Sequence, residues 1–123
     1  MMKTTETLTT DVVQWRQQKD TLRRIRERVF IEEQQVPRDI EWDGKDEEAT
    51  HVLGVLDAAS TAVPVACGRL LPDGKIGRMA VLAEYRGRGF GAAVLDALVE
   101  AAMDQGMPSV YLHAQSHASD FYT

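Results

Sequence analysis

The sequence predicts an α+β layered sheet, and three observations carry that prediction. Residues 50–81 hold three strand-like segments separated by turn residues, which reads as a meander. An amphipathic helix follows, opening at a glycine-rich turn and running to about Gln105. A further apolar segment, Ser109 to Ala114, comes after that helix, so it joins the sheet parallel to the strand before the helix.

Taken in order, Val12, Val13 and Trp15 suggest a first strand from about Leu8. Asp20 or Thr21 can cap a helix whose apolar positions Leu22, Ile25, Val29 and Phe30 fall at helical spacing. Pro37 closes it, or forces a bend before a loop or short second helix. Arg38 to Thr50 is charged and irregular, with Trp42 as its anchor. The meander strands are Thr50–Leu56, Val63–Leu71 and Lys75–Val81, with turns at Ala58–Thr61 and Pro72-Asp73-Gly74. Phe90, Val94, Leu98 and Ala101-Ala102 form the buried face of the long helix, which Gly106 and Pro108 stop. Val110 and Leu112 point to a buried last strand.

The chain of 123 residues is long enough for one domain with a single core. Its 44% hydrophobic and 27% charged content is that of a soluble globular protein. Apolar runs fall well short of the roughly 18 residues of a membrane span. Met1–Thr10 is polar and Thr-rich, unlike a signal peptide. A single cysteine, Cys67, makes no internal disulfide and reads as a small core residue. The expectation is a cytoplasmic protein without a membrane partner. A net charge of −5 also speaks against nucleic acid. Acidic residues bunch at Glu32, Glu33, Asp39, Glu41, Asp43, Asp46, Glu47 and Glu48. They read either as a solvated loop or as a mouth that attracts a cationic amine.

Most of the functional information sits in Arg86-Gly87-Arg88-Gly89-Phe90-Gly91. Glycines let a ligand approach the backbone, and the first helical turn leaves N–H groups unpaired at the positive end of the macrodipole. Arg86 and Arg88 add full charges beside this cradle, which suits a phosphate-bearing ligand. Gly87-x-Gly89-x-x-Ala92 also fits a dinucleotide-binding turn. That reading requires an acidic residue at the end of the next strand, and Tyr111-Leu112-His113-Ala114 has none.

Read as Arg86-x-x-Gly89-x-Gly91, the same residues resemble motif A of the GNAT N-acetyltransferase superfamily. Ile76–Val81 resembles the strand before that loop, and Glu84-Tyr85 the turn leading into it. Val29–Gln34, Glu41-Trp42-Asp43 and Ala49-Thr50-His51 resemble a bacterial subgroup of acyltransferases. Gln115-x-x-Ala118-x-x-Phe121-Tyr122 resembles an Asn-x-x-Ala-x-x-Phe-Tyr segment, with Gln replacing Asn. The likeness runs from about residue 8 to the last residue.

The resemblance implies a GNAT-like central mixed sheet flanked by helices. It also implies a final C-terminal hairpin that this chain lacks, which leaves an open sheet edge after Ser109–Ala114. A shortened piece, a disrupted reading frame, or a short form completed by a partner subunit would each account for this. The family often dimerises, so a homodimer is expected on both grounds.

The implied activity is acetyl transfer from acetyl-CoA to a small-molecule amine. The implied alternative is a catalytically inactive acyl-CoA-binding or regulatory remnant. Arg86, Gly87, Arg88, Gly89, Phe90, Gly91 and Ala92 would take the pyrophosphate. The backbone of Met79, Ala80 and Val81 would pair with the pantetheine arm, at a bulge that splays this strand from the next. Gln115 would contact the cofactor through its amide. Tyr122 matches the family's general acid. For the base the residues leave Glu33, Glu41, Asp43, His51, His113 or a water chain.

Overall fold

The computed structural model describes residues 6–58 and 61–112, and β1 (Glu6–Val13), β2 (Thr50–Ala58), β3 (Thr61–Leu70), β4 (Lys75–Val81) and β5 (Tyr111–Leu112) form one sheet in that order. The first three pairings are antiparallel and β4–β5 is parallel, as the intervening helix requires. This is the mixed, helix-flanked α+β sheet that the sequence predicts.

Helices cover both faces. On one, α3 (Phe90–Asp104) packs Phe90, Val94, Leu98 and Ala102 against Val52, Leu56, Leu70, Ile76 and Val81. On the other, α1 (Trp15–Arg26) runs directly into a π-helical segment, Glu27–Glu33, and Leu22, Ile25 and Val29 meet Leu53, Cys67, Ala80 and Leu82. The side-chain period of two along each strand supplies both cores: Val52 faces α3 and Leu53 faces α1. Gly68 lets α3 approach closely, because a Cβ there would lie 2.6 Å from Leu98 and 2.8 Å from Val94.

Several element boundaries differ from expectation. The first helix begins at Trp15 rather than near Asp20, and Trp15 is not in the first strand. The helix bends at Gln18, whose φ of −116° and ψ of 16° are non-helical. Asp20 and Thr21, expected as the cap, therefore lie inside the helix, whose N-cap is Gln14. Trp15 instead stacks on His51, with ring centroids 5.0 Å apart. A short α2 (Arg38–Glu41) follows Pro37, the second of the two outcomes foreseen there.

Strands β2 and β3 run on to Ala58 and from Thr61, longer than composition suggested. Pro64 is tolerated because the β2–β3 register slips there and the β4 pairing starts only at Ala66. The β3–β4 turn is as read: Asp73 accepts from Lys75 N–H at 3.1 Å, and Gly74 has a φ of +95°. At the end of α3, Gly106 takes a φ of +76° and Met107 N–H donates to Ala102 O at 3.0 Å, a Schellman-type stop. In β5 the expected burial of Leu112 fails: Tyr111 and Leu112 are 42% and 40% exposed. Described β5 is an edge strand, and only Val110, just before it, turns toward the α3 core.

Candidate active site

The strand β4 and the turn after it position the site. Against β3, Cys67 pairs with Ala80 and Arg69 with Gly77, two steps on one strand for three on the other. The additional residue is a β-bulge in β4, and Arg78 takes it up with a φ of +50°. The resemblance implied a bulge at Met79–Val81 that splays this strand from the next; the observed one lies just before, at Arg78, and is seen against β3. Beyond it Leu82 N–H returns to β3, donating to Val65 O at 2.9 Å. Alternation then directs the N–H and C=O of Val81 away from β3, toward the outer edge. Arg86 Nε, which donates to Val81 O at 2.9 Å, lies on that edge.

A 3₁₀ turn, Ala83–Tyr85, leads to the glycine loop. Gly87 and Gly89 have φ of +79° and +81°, and nothing lies within 4 Å of where a Cβ would stand on either. Gly89 is the N-cap of α3 and offers no side-chain oxygen to the first turn. Among the described residues, no backbone N–H from Gly87 through Ala92 donates to another backbone carbonyl, whereas Ala93 N–H reaches Gly89 O at 3.1 Å. Donors without a backbone partner therefore gather at the positive end of a 15-residue helix, with Gly87, Arg88, Gly89 and Ala92 exposed and Phe90 and Gly91 buried. This donor set fits a diphosphate.

Both loop arginines are already paired. Arg86 meets Glu33 with both guanidinium NH₂ groups, at 2.6 and 2.7 Å. Arg88 bonds Glu6 at 3.0 Å and stacks over Phe90. The expectation of two unpaired charges beside the cradle is therefore altered. The attraction for an anion rests first on the helix amides, and the exposed Arg88–Glu6 pair can yield to a ligand at small cost.

The acidic segment follows neither of its two readings fully. Glu41 and Asp46 are buried, Asp43 is half-buried, and all three meet arginines in the interior. Arg26 bonds Glu41 at 2.6 Å and Asp46 at 2.7 Å. Arg69 bonds Asp43 at 2.9 Å and Asp46 at 3.1 Å, and Arg78 bonds Asp43 at 3.1 Å and the carbonyl of Ile40 at 3.0 Å. Burial opposes the charge on Asp43, but hydrogen bonds from Arg69 and Lys45 N–H and the charges of Arg69 and Arg78 outweigh it, holding its carboxyl well below the usual range. Trp42 is half-buried over Arg23 and Arg26, at 4.7 and 4.8 Å, rather than anchored among apolar groups.

Three of the base candidates thus sit inside or against this network. Glu41 and Asp43 are held by arginines, and His51 packs on Trp15 with its Nε2 2.8 Å from Asp46 O. Burial pushes the His51 pKa down, against a smaller opposite pull from Asp46. Sequence reading missed Arg26, Asp46 and Arg69 as a cluster. A signal existed: Arg26 lies four residues after Leu22 on the buried stripe, and Arg69 shares a strand face with Cys67.

Of the cofactor candidates, Arg86 to Ala92 and the Met79–Val81 edge converge around the start of α3. Val81 and Phe90 are buried in the α3-side core and Ala80 in the α1-side core, while Met79 packs beside the former. His113, Gln115 and Tyr122 lie outside the described residues, as does the expected end of the last strand at His113-Ala114. A separate cavity of about 440 Å³, lined by Val13, Trp15, Glu47 and Thr50 among others, lies at the opposite end of the strands.

A mixed, helix-flanked sheet whose bulged β4 feeds a glycine loop and a helix N-terminus is a GNAT-like fold. The chain belongs to the acetyltransferase (GNAT) family, which it matches over residues 13–123. It is similar to the uncharacterized N-acetyltransferase YjcF of Bacillus subtilis, 39% identical over 101 residues, covering 80% of this chain and 69% of that protein. Among solved structures it resembles Escherichia coli ElaA, with a TM-score of 0.76 and 27% identity over 94% of this chain and 84% of that one. An acyl-CoA N-acyltransferase from Pseudomonas aeruginosa gives 0.73 and 26% over 94% and 85%. A Clostridium acetobutylicum structure described as a predicted acetyltransferase with acetyl-CoA shares the fold, with a TM-score of 0.68 and 20% identity over 94% and 86%. The family uses acetyl-CoA. No described helix is long and apolar enough to cross a membrane.

Proposed function

We propose that this protein is an N-acetyltransferase that moves the acetyl group of acetyl-CoA to a small-molecule amine. The observation that carries the reading is the run of unpaired N–H groups from Gly87 to Ala92 beside the outward edge of β4 at Val81. Bound acetyl-CoA supplies an activated acyl thioester. The Gly87–Ala92 amides, with Arg86 and Arg88, would hold its pyrophosphate. Met79 and Val81 would lend outward backbone groups to the pantetheine arm and Gln115 its side-chain amide, while the groups of Ala80 face β3 by the same alternation.

The Val81 N–H, on the same edge, would donate to a developing oxyanion. An alkyl amine, with a pKa of about 10.4, must lose a proton before attack. With Glu41, Asp43 and His51 engaged inside and Glu33 paired with Arg86, that proton would fall to His113 or to a water chain, and Tyr122 is assigned as the acid. The chain is read as one catalytic domain acting in the cytoplasm, with a homodimer as its assembly.

The test is calorimetric titration of acetyl-CoA into the wild type, Gly89→Asp and Arg86→Ala, paired with thiol release over a panel of polyamines, amino sugars and amino acids. Gly89→Asp puts a carboxylate at the mouth of the cradle and is expected to abolish binding. Unchanged binding in both variants removes the loop assignment. Binding without thiol release on any amine returns the protein to the acyl-CoA-binding class.

A further inference from the structure

The carboxylate of Glu33 and the guanidinium of Arg86 form a two-pronged pair at 2.6 and 2.7 Å, and the third edge of the same guanidinium grips Val81 O at 2.9 Å. One side chain thus ties the end of β4 to the glycine loop, and Glu33 fixes the orientation of that side chain. Three of the five guanidinium N–H groups are used in this way, which leaves two for a ligand.

The backbone that delivers Glu33 is unusual. Glu27–Glu33 is wound as a π-helix, with Gln34 N–H reaching Val29 O at 3.1 Å, and past its end Val36 N–H reaches Phe30 O at 2.8 Å. An α-helix sets residues five apart about 140° around the axis. The wider π turn brings such residues closer to one side. Arg28 and Glu33 are five apart, and both reach the same short stretch after β4: Arg28 bonds Glu84 at 3.1 Å, and Glu33 bonds Arg86. Two residues past its end, Gln35 takes a φ of 57°.

We infer that the π-wound end of α1 is a brace for the glycine loop, and that Glu33 is a positioning residue for cofactor binding which acts through Arg86, not the general base. This rests on the reading that the loop binds coenzyme A. Both carboxylate oxygens of Glu33 are committed to one guanidinium, which fixes the carboxylate toward Arg86 rather than toward an acceptor amine. The side chains are 40% and 42% exposed, so the pair is salt-sensitive and its worth modest.

Calorimetric titration with coenzyme A, with no acceptor amine present, tests the brace on the wild type, Glu33→Gln, Arg86→Gln and the double variant. Glu33→Gln is expected to raise Kd about 3- to 10-fold, less at high salt, and to add nothing once Arg86 is Gln. With any amine that supports thiol release, kcat and both limbs of its pH profile should stay in place. An unchanged Kd in Glu33→Gln overturns the brace. So does a fall in kcat of about 100-fold or more with loss of one pH limb that persists in the Arg86→Gln background, because that is the signature of a base. Failure of the wild type to bind coenzyme A is a different result: it removes the loop reading, and this inference with it.

Discussion

Arg26 and Glu41 meet at 2.6 Å with side chains only 1% and 2% exposed. Asp46, Asp43, Arg69 and Arg78 extend this pair into a network of three cations and three anions joining α1, α2 and its following loop, β3 and the β4 bulge. Charges so placed have lost most of their hydration and depend on one another. Their balance also explains why an acidic stretch of sequence does not produce an acidic surface of matching strength.

Removing one partner should therefore be costly. Arg26→Met leaves Glu41 and Asp46 facing each other in the interior, and the expected loss is about 3–5 kcal/mol in urea unfolding. Trp42, which lies over Arg26, makes its fluorescence a local reporter of the same change. An unaltered unfolding midpoint would show that the network contributes little.

The same cluster sets a pH dependence. His51 has a folded pKa below its unfolded value, so below about pH 6.5 the unfolded chain binds the additional proton and stability declines as pH falls. Asp43 is likewise held low, so its contribution is present above about pH 4 and fades only under stronger acid. Midpoints measured from pH 7.5 to 3 should fall in two stages. His51→Gln should flatten the first and Asp43→Asn the second. A first stage of equal slope in His51→Gln would reassign it to another group.

Much of this architecture was legible in the residues. The meander declares itself through Pro72-Asp73-Gly74 and the β-branched runs, and α3 through its apolar spacing and the Gly106 stop, because these are local effects. The glycine loop was legible for the same reason: a positive φ and a bare backbone leave a compositional trace at Gly87 and Gly89. What depends on distant partners was not. Nothing near Glu33 announces that Arg86, 53 residues on, will hold it, nor that the helix will widen to a π turn before Gln34. Trp15 read as strand because its ring is apolar, whereas stacking on His51 places it at a helix start.

Cys67 gives a simple probe of integrity. Burial pushes its thiol up to about 12, so the folded protein holds no reactive thiolate at neutral pH. Ellman's reagent at pH 8 should label it only at the rate of opening, and fully in urea. Fast labelling without denaturant would mean that the α1 side of the sheet opens readily.

Two glycines, Gly68 and Gly77, separate packing from backbone effects within the β3–β4 pair. At Gly68 a methyl group would stand 2.6 Å from Leu98 and 2.8 Å from Val94, under the centre of α3. Leu98 can swing its terminal methyl, but Val94 is stiff at χ1, so α3 must shift outward. Gly68→Ala should cost about 1–3 kcal/mol. At Gly77 nothing lies within 4 Å of the added carbon and φ is not positive, so Gly77→Ala should stay within about 0.5 kcal/mol of wild type. Thermal unfolding of the two variants side by side checks both, and equal midpoints would mean that α3 does not rest on Gly68 as closely as these distances require.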